Sequence, residues 1–163
     1  MPAVLMALDA VYLVKGSGGA REIKARQFYQ GAYATALKDG EILTAIRIPK
    51  PAQGHGSAYV KQKRKIGDYA TAAAAVILAV SGGKCASAAV TLTNVGDTPL
   101  LADAAAQALV GSTLDAATIA KAAAAAAGIA QPAKDARGPV DFRKSVAGVM
   151  VRRAIEAAAK RAR

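Results

Sequence analysis

Apolar and polar residues alternate along the first fifty positions in a way that predicts strands. In VYLVKG, residues 11–16, successive side chains would point to opposite faces. A Ser-Gly-Gly turn at residues 17–19 leads into AREIKARQF, residues 20–28, as an antiparallel partner. EILTAIRIP, residues 41–49, predicts a further strand that ends at a proline, and a short helix over residues 2–10 precedes the group.

Two prolines and two glycines within PKPAQGHG, residues 49–56, interrupt this pattern, and we place a boundary between two units there. Beyond it, SAYVKQKRK (57–65) and TAAAAVILAV (71–80) predict strands. A Ser-Gly-Gly-Lys connection at residues 81–84 then joins the second of these to CASAAVTLTNV (85–95). The second unit therefore begins as an antiparallel meander.

Helical spacing replaces alternation in the last third of the chain. LADAAAQALVG predicts a helix that ends at Gly111, and TIAKAAAAAAGIA predicts a second helix with Ser112 and Asp115 as possible caps. The third predicted helix runs from Val140 to Arg163. Strands followed by helices are typical of an α+β fold with helices packed on one face of an antiparallel sheet.

The third helix is amphipathic and basic. Its larger apolar side chains predict a buried stripe, and its cations are expected outside that stripe. The residues of the stripe are Phe142, Val146, Val149 and Met150. The cations expected outside it are Arg143, Lys144, Arg152 and Arg153.

Composition restricts the classes of function. A formal charge of +11 favours nucleic acid, anionic lipid, or an acidic or phosphate-bearing partner. The single cysteine, Cys85, excludes an internal disulfide and is expected to be a buried thiol in a reducing compartment. The longest uncharged apolar run, residues 70–80, is about half of what a bilayer needs. We therefore predict a soluble protein with no transmembrane segment.

The stretch KQKRKIGDYATAAAAV, residues 61–76, is the main candidate for chemistry, because the only histidine, His55, lies in the boundary segment without catalytic partners. As one strand, the stretch would send Lys61, Lys63 and Lys65 to the same face, where an anion could compensate them. A tyrosine ring follows and could lie beside a flat heteroaromatic group. An ordinary edge strand protected by lysines explains the same residues equally well.

Longer motifs in the chain point to a known family. KRKIGDYATAAAAV is followed by SGGKC and TLTNVGDTPL, while FYQGAY, GEILTAIRIP, GHG, DARGPVDFR and AGVMVRRA occur in the family's order. Over essentially its whole length, the sequence resembles the molybdenum hydroxylase flavoproteins, and within them the medium, FAD-binding subunits of aerobic carbon monoxide dehydrogenases. The resemblance implies an FAD-binding electron-transfer subunit.

The same resemblance implies partners and site residues. In the implied enzyme, a molybdenum cofactor on a large subunit passes electrons to [2Fe-2S] clusters on a small iron–sulfur subunit. FAD would receive the electrons from these clusters and pass them to a quinone or similar acceptor. The implied flavin contacts are Leu43, which packs near the cofactor, Lys61 near its polar edge, and Tyr69 against the isoalloxazine, with Asp68 as a neighbour. No nucleic acid is expected, and the expected location is cytoplasmic, with the inner face of the membrane as an alternative.

Two glycine-rich loops of the family, AGGHS and TIGGN, do not occur in the sequence. We therefore expect an N-terminally truncated chain in which residues 1–50 are the end of the FAD-binding domain and residues 51–163 are the CO dehydrogenase flavoprotein C-terminal domain. Such a chain should bind FAD weakly or not at all. The alternatives are the flavoprotein subunit of a related enzyme that oxidises an aldehyde or a heterocycle, and a small basic module that binds nucleic acid or anionic surfaces.

Overall fold

A computed structural model describes residues 1–162 of the chain. The helices are α1 (Pro2–Ala7), α2 (Ala25–Phe28), α3 (Asp103–Leu109), α4 (Ala116–Gly128) and α5 (Val140–Arg161). The strands are β1 (Val11–Gly16), β2 (Gly19–Lys24), β3 (Tyr29–Gly31), β4 (Ala34–Thr35), β5 (Ile42–Arg47), β6 (His55–Gln62), β7 (Ala72–Ser81), β8 (Lys84–Thr93) and β9 (Leu100–Leu101). This mixture of antiparallel sheets and helices confirms the predicted α+β fold class.

The first unit is a three-stranded antiparallel sheet of order β2-β1-β5. Tyr12 and Val14 of the central strand are buried, and the ring of Tyr12 packs edge-on against that of Phe28, with centroids 4.4 Å apart. The hydroxyl groups of Tyr12 and Tyr29 share a hydrogen bond. The predicted strand over residues 20–28 is too long, because the backbone N–H of Ala25 donates to the carbonyl of Ala10 and the chain turns into α2.

The second unit is a four-stranded antiparallel sheet of order β6-β7-β8-β9. Alternate residues of β7, such as Val76 and Leu78, face the helical layer. On the opposite face Ala75 packs against Ala3 and Ala7 of α1, so a helix from the first unit covers part of this sheet as well. The sheet therefore carries helices on both faces, although the helices of its own unit lie on one.

Close backbone approach fixes the distance between β6 and the C-terminal end of α5. A Cβ atom added at Gly56 would lie 2.0 Å from the carbonyl oxygen of Ala158 and 2.5 Å from the nitrogen of Ala162. The Arg161 guanidinium also donates to the carbonyl of Ser57, at 2.7 Å. Only glycine leaves room for the strand and the helix to approach this closely.

Small residues also bring the two long helices together. The Asp115 carboxylate caps α4 by accepting from the backbone N–H of Thr118 at 2.9 Å, as predicted. A Cβ atom at Gly148 would lie 3.4 Å from the Cβ of Ala127, so the backbones of α4 and α5 approach each other closely at this point. Gly111 follows Val110, the C-cap residue of α3, and its φ of +82° explains why a glycine is found there.

The predicted buried stripe of α5 is correct at Met150 and wrong at Phe142, Val149 and Arg143. Phe142 and Val149 are 52% and 37% exposed, whereas Arg143 is 3% exposed. Compared with the prediction, α5 turns a different face towards the sheet. Its small residues allow it to approach the sheet closely, and hydrogen-bond acceptors for Arg143 are present in the interior. The buried positions are Arg143, Ala147, Met150, Val151, Ala154, Ile155 and Ala158. The final residue of the predicted helix, Arg163, lies outside the described residues.

Within residues 1–162, none of the helices has both the length and the apolar character needed to cross a bilayer.

Candidate functional site

The structure places the four predicted cofactor contacts in two regions. Asp68 and Tyr69 lie in the loop that joins β6 to β7, and Lys61 lies near the end of β6, where it pairs with Ala73. Leu43 belongs to β5, in the other sheet. The structure therefore gathers Asp68 and Tyr69 into one cluster and leaves Leu43 on a separate surface.

The predicted row of three lysines on one strand is not formed. β6 ends at Gln62, whose carbonyl accepts from the backbone N–H of Thr71 at 2.8 Å and closes the ladder there. Lys63 and Lys65 consequently belong to the loop, where Gly67 takes a φ of +84°. We call residues 63–71 the Tyr69 loop. Its cations lie around a turn instead of along a strand face.

An ion pair fixes the first half of the Tyr69 loop. Arg64 Nε donates to Asp68 Oδ2 at 3.0 Å, and this hydrogen bond is the main reason that the pKa of Asp68 lies below its usual value. The same guanidinium donates through Nη1 to the carbonyl of Ala136, also at 3.0 Å. The loop is thus attached to the segment that precedes α5.

The Tyr69 ring stands on the surface with 75% of the residue exposed. The guanidinium carbon of Arg137 lies 6.0 Å from the ring centroid, within the range of a cation–π contact. Tyr69 thus combines a largely accessible aromatic ring with a neighbouring cation. Such a pair can pack against a flat heteroaromatic group and favour negative charge on it.

Asp135 is the carboxylate that holds this corner together. Its Oδ2 accepts from Arg137 Nη2 at 2.6 Å and from Arg143 Nη1 at 3.0 Å, while Oδ1 accepts from the Arg137 backbone N–H at 2.8 Å. The pKa of Asp135 is lowered to about 2, mainly by the hydrogen bond from the Arg137 side chain. The Arg137 backbone N–H and the charge of Arg143 contribute less. Asp135 is therefore ionised at neutral pH.

Arg64, Asp135, Arg137 and Arg143 were not among the predicted site residues, and Arg143 was expected on the solvent-facing side of α5. The Arg143 side chain is 4% exposed and donates to backbone carbonyls of Thr71 (3.2 Å), Ala133 (2.7 Å) and Asn94. The cation thereby joins the Tyr69 loop, the turn after β8 and the segment before α5. The motif DARGPVDFR contains Asp135, Arg137 and Arg143 together. A basic residue in an amphipathic helix ordinarily faces solvent, however, so no local pattern indicated that Arg143 is buried.

Leu43 lies on the edge strand of the first sheet. It pairs with Val14, and every residue of β5 is exposed, including Leu43 at 40% and Ile46 at 39%. The Thr44 hydroxyl donates to the carbonyl of Leu13 at 2.9 Å and fixes the strand against β1. β5 therefore presents an apolar surface that a flat ligand or another polypeptide segment could cover.

The accessible Tyr69 ring and the apolar β5 surface could each pack against a flat heteroaromatic group, and the exposed Lys61 could pair with a phosphate. Among residues 1–162 no group of three or more His, Cys, Asp or Glu side chains could hold a metal ion. His55 is exposed, with Nδ1 3.0 Å from the carbonyl of Ala52. Cys85 is buried as predicted, and burial raises the pKa of its thiol.

Two family models match the chain. The model of the CO dehydrogenase flavoprotein C-terminal domain matches residues 57–158, which contain the Tyr69 loop and the buried arginine. The model of the FAD-binding domain in molybdopterin dehydrogenase matches residues 1–51, which contain β5. The two candidate surfaces thus lie in different family regions.

Similar proteins extend this match over the whole chain. The carbon monoxide dehydrogenase medium chain of Afipia carboxidovorans is 57% identical over 163 residues, which is 100% of this chain and 57% of that protein. Subunit alpha of the 6-hydroxypseudooxynicotine dehydrogenase complex of Paenarthrobacter nicotinovorans is 32% identical over 164 residues. The match covers 100% of this chain and 55% of that protein. The chain therefore spans little more than half the length of these relatives.

A solved structure shares the fold closely. A chain of the reconstituted CO dehydrogenase from Oligotropha carboxidovorans superimposes with a TM-score of 0.97 and 58% identity, over 99% of this chain and 57% of that one.

Proposed function

Because the chain belongs to the CO dehydrogenase flavoprotein family, we propose that it forms part of the FAD-binding electron-transfer subunit of a molybdenum-containing carbon monoxide dehydrogenase. The observation that carries this proposal is the 57% identity, over all 163 residues, to a carbon monoxide dehydrogenase medium chain. In the complete subunit, FAD would supply the redox chemistry, and the protein would bind and orient it. The acceptor would be a quinone or a similar external molecule.

The roles proposed for the chain's own residues are binding roles. Tyr69 would lie against the isoalloxazine, Lys61 near its polar edge, and Leu43 would supply apolar contact. Asp68 would be a neighbour that holds Arg64 within the same loop. We propose residues 1–50 as the end of the FAD-binding domain and residues 51–163 as the C-terminal domain. The partners would be a small subunit with [2Fe-2S] clusters and a large subunit with the molybdenum cofactor, assembled in the cytoplasm or at the inner membrane face.

The experiment that tests this function is replacement of Tyr69 by Ala in the full-length subunit, assembled with its partner subunits. We expect the rates of flavin reduction or reoxidation to change by about tenfold, because a misplaced ring affects the orientation of the cofactor. The melting temperature should change little, since the ring is exposed. Tyr59→Ala, at an exposed tyrosine on β6, is the matched control. Unchanged flavin spectra and kinetics in the Tyr69 variant would contradict the assignment.

A flavoprotein subunit of a related molybdenum hydroxylase is the second candidate. The 6-hydroxypseudooxynicotine dehydrogenase subunit also matches the chain along its whole length, but at 32% identity rather than 57%. The difference favours the carbon monoxide branch. Assaying the assembled enzyme with carbon monoxide, aldehydes and N-heterocycles separates the two, because reduction of the flavin by carbon monoxide is expected only in the first case.

The charge distribution argues against a nucleic-acid module. Of the cations around the Tyr69 loop, Arg64 is paired with Asp68, and Arg137 and Arg143 are paired with Asp135. These three arginines are therefore less available to phosphates than the number of cations in the sequence suggests. We expect weak, non-specific retention of nucleic acid that disappears near physiological salt, as measured by binding over a range of salt concentrations.

A further inference from the structure

We propose that Arg143 is a positioning residue for Tyr69, which acts from the protein interior through the Thr71 carbonyl and through the Asp135–Arg137 pair. This inference rests on the proposed function, because it concerns the orientation of the ring that would face the flavin. It assigns a role to a side chain that is buried, with 4% of its surface exposed.

The burial of Arg143 needs an explanation in itself. Removing a guanidinium from water is costly unless its donors are satisfied, and Arg143 donates to one carboxylate and three backbone carbonyls. Packing alone would be served by an apolar residue, as at Ala147 and Met150 on the same face of α5. The planar, multidentate donor set instead connects three separate segments of the backbone.

The first connection reaches the Tyr69 loop directly. Arg143 Nε donates to the carbonyl of Thr71, two residues after Tyr69, at the point where the chain enters β7. Thr71 is 4% exposed, whereas Ile66 and Tyr69 are 92% and 75% exposed. Arg64 holds the first half of the loop through Asp68 and Ala136, and the hydrogen bond from Arg143 to Thr71 holds its buried end, close to Tyr69.

The second connection reaches the ring from the other side. Arg143 holds Asp135 at 3.0 Å, Asp135 holds Arg137 at 2.6 Å, and the Arg137 guanidinium lies beside the Tyr69 ring. Gly138, with a φ of +131°, donates its N–H to the Asp135 carbonyl and closes the turn that carries Arg137. One buried cation thus orients both the backbone after Tyr69 and the cation next to its ring.

The test uses Arg143→Lys in the full-length subunit assembled with its partner subunits. Lysine keeps the charge but cannot reach the same set of acceptors. We expect FAD to bind about tenfold more weakly and the flavin reduction potential to shift, because the ring is no longer held in one orientation. FAD release, spectroelectrochemical titration and melting temperature are measured together. Arg153→Gln, an exposed cation on the same helix, is the control.

A double variant separates positioning from general stability. If Arg143 acts through Tyr69, then Arg143→Lys should change the flavin potential and FAD affinity much less when Tyr69 is already Ala. Effects of equal size in both backgrounds overturn the proposal, and so does a lower melting temperature with unchanged flavin properties. If Tyr69→Ala alone leaves the flavin unchanged, the proposed function of Tyr69 fails instead.

Arg137→Gln tests the second connection without changing a buried side chain, because Arg137 is partly exposed. It removes the cation beside the ring and should shift the flavin potential in the same direction, by a smaller amount. This variant keeps the proposal testable if Arg143→Lys does not assemble. No shift in the potential of the Arg137 variant overturns the second connection.

Discussion

Strands β5 and β7 are both apolar in sequence, yet the structure exposes one and buries the other. β7 has neighbours on both edges and helices on both faces, and all of its residues from Ala72 to Ala79 except Ile77 are buried. β5 is an edge strand that is exposed along its whole length. Position within the sheet, and not hydrophobicity alone, therefore decides which apolar strand forms core and which remains available for contact.

Replacing Gly56 by Ala should have the largest effect on the buried sheet. The new Cβ would lie 2.0 Å from a backbone oxygen of α5, and no flexible side chain can move to relieve the contact. We expect a loss of more than about 4 kcal/mol in the free energy of unfolding, in the exceptional range for one substitution. Denaturant unfolding of the purified chain measures the loss. Gly18→Ala, with no atom within 4 Å of the added carbon, should be near neutral.

Leu78→Ala tests the burial of β7 itself. Leu78 is 1% exposed and faces the helical layer, so its removal leaves a cavity between the sheet and the helices. We expect the free energy of unfolding to fall by about 3 kcal/mol, as for other buried leucines. Equilibrium unfolding in urea measures the change. A loss below about 1 kcal/mol would indicate a loosely packed interior.

Local patterns explain why much of this contrast could be predicted from the sequence. Alternation and short glycine turns define β1, β6, β7 and β8 and the hairpin at Gly82 and Gly83, because both signals depend on near neighbours in the chain. Asp115 was predicted as a cap for the same reason. The motif resemblance located the Tyr69 loop and β5 as candidate surfaces.

Tertiary hydrogen bonds explain what could not be predicted. β6 ends at Gln62 instead of continuing through the lysines, because Thr71 closes the ladder there. Arg143 turns inward because acceptors from Thr71, Asn94 and Asp135 converge on it, although they are 72, 49 and 8 residues away in sequence. No local pattern in the sequence indicates such a convergence. The prediction of the buried face of α5 therefore depended only on the positions of its larger apolar side chains.

One carboxylate in each unit, Glu41 in the first and Asp135 in the second, should make the free energy of unfolding depend on pH. The folded pKa of Asp135 is about 2, below its usual 3.8, so its contribution is complete above about pH 4 and is lost as the pH falls towards 2. The difference in unfolding free energy between the parent chain and Asp135→Asn should therefore shrink over this range. Glu41, which Arg21 holds at a pKa of about 2, should behave similarly in Glu41→Gln. Denaturant unfolding at several pH values measures both differences, and a constant difference would contradict the assignment.

Leu43→Ala should have the smallest effect on stability and gives the sharpest comparison with Leu78→Ala. The substitution is the same, but Leu43 is 40% exposed at a sheet edge, so we expect less than about 0.5 kcal/mol in unfolding free energy. In the full-length subunit, the same change should weaken FAD binding about threefold, because apolar contact with the cofactor is lost. A large loss of stability in the purified chain would mean that β5 is part of its core. Unchanged FAD affinity with unchanged stability would leave Leu43 with neither role. The apolar contact would then be assigned to Ile46, which is 39% exposed and shares the face of Leu43, because these two residues pair with Tyr12 and Val14 of β1.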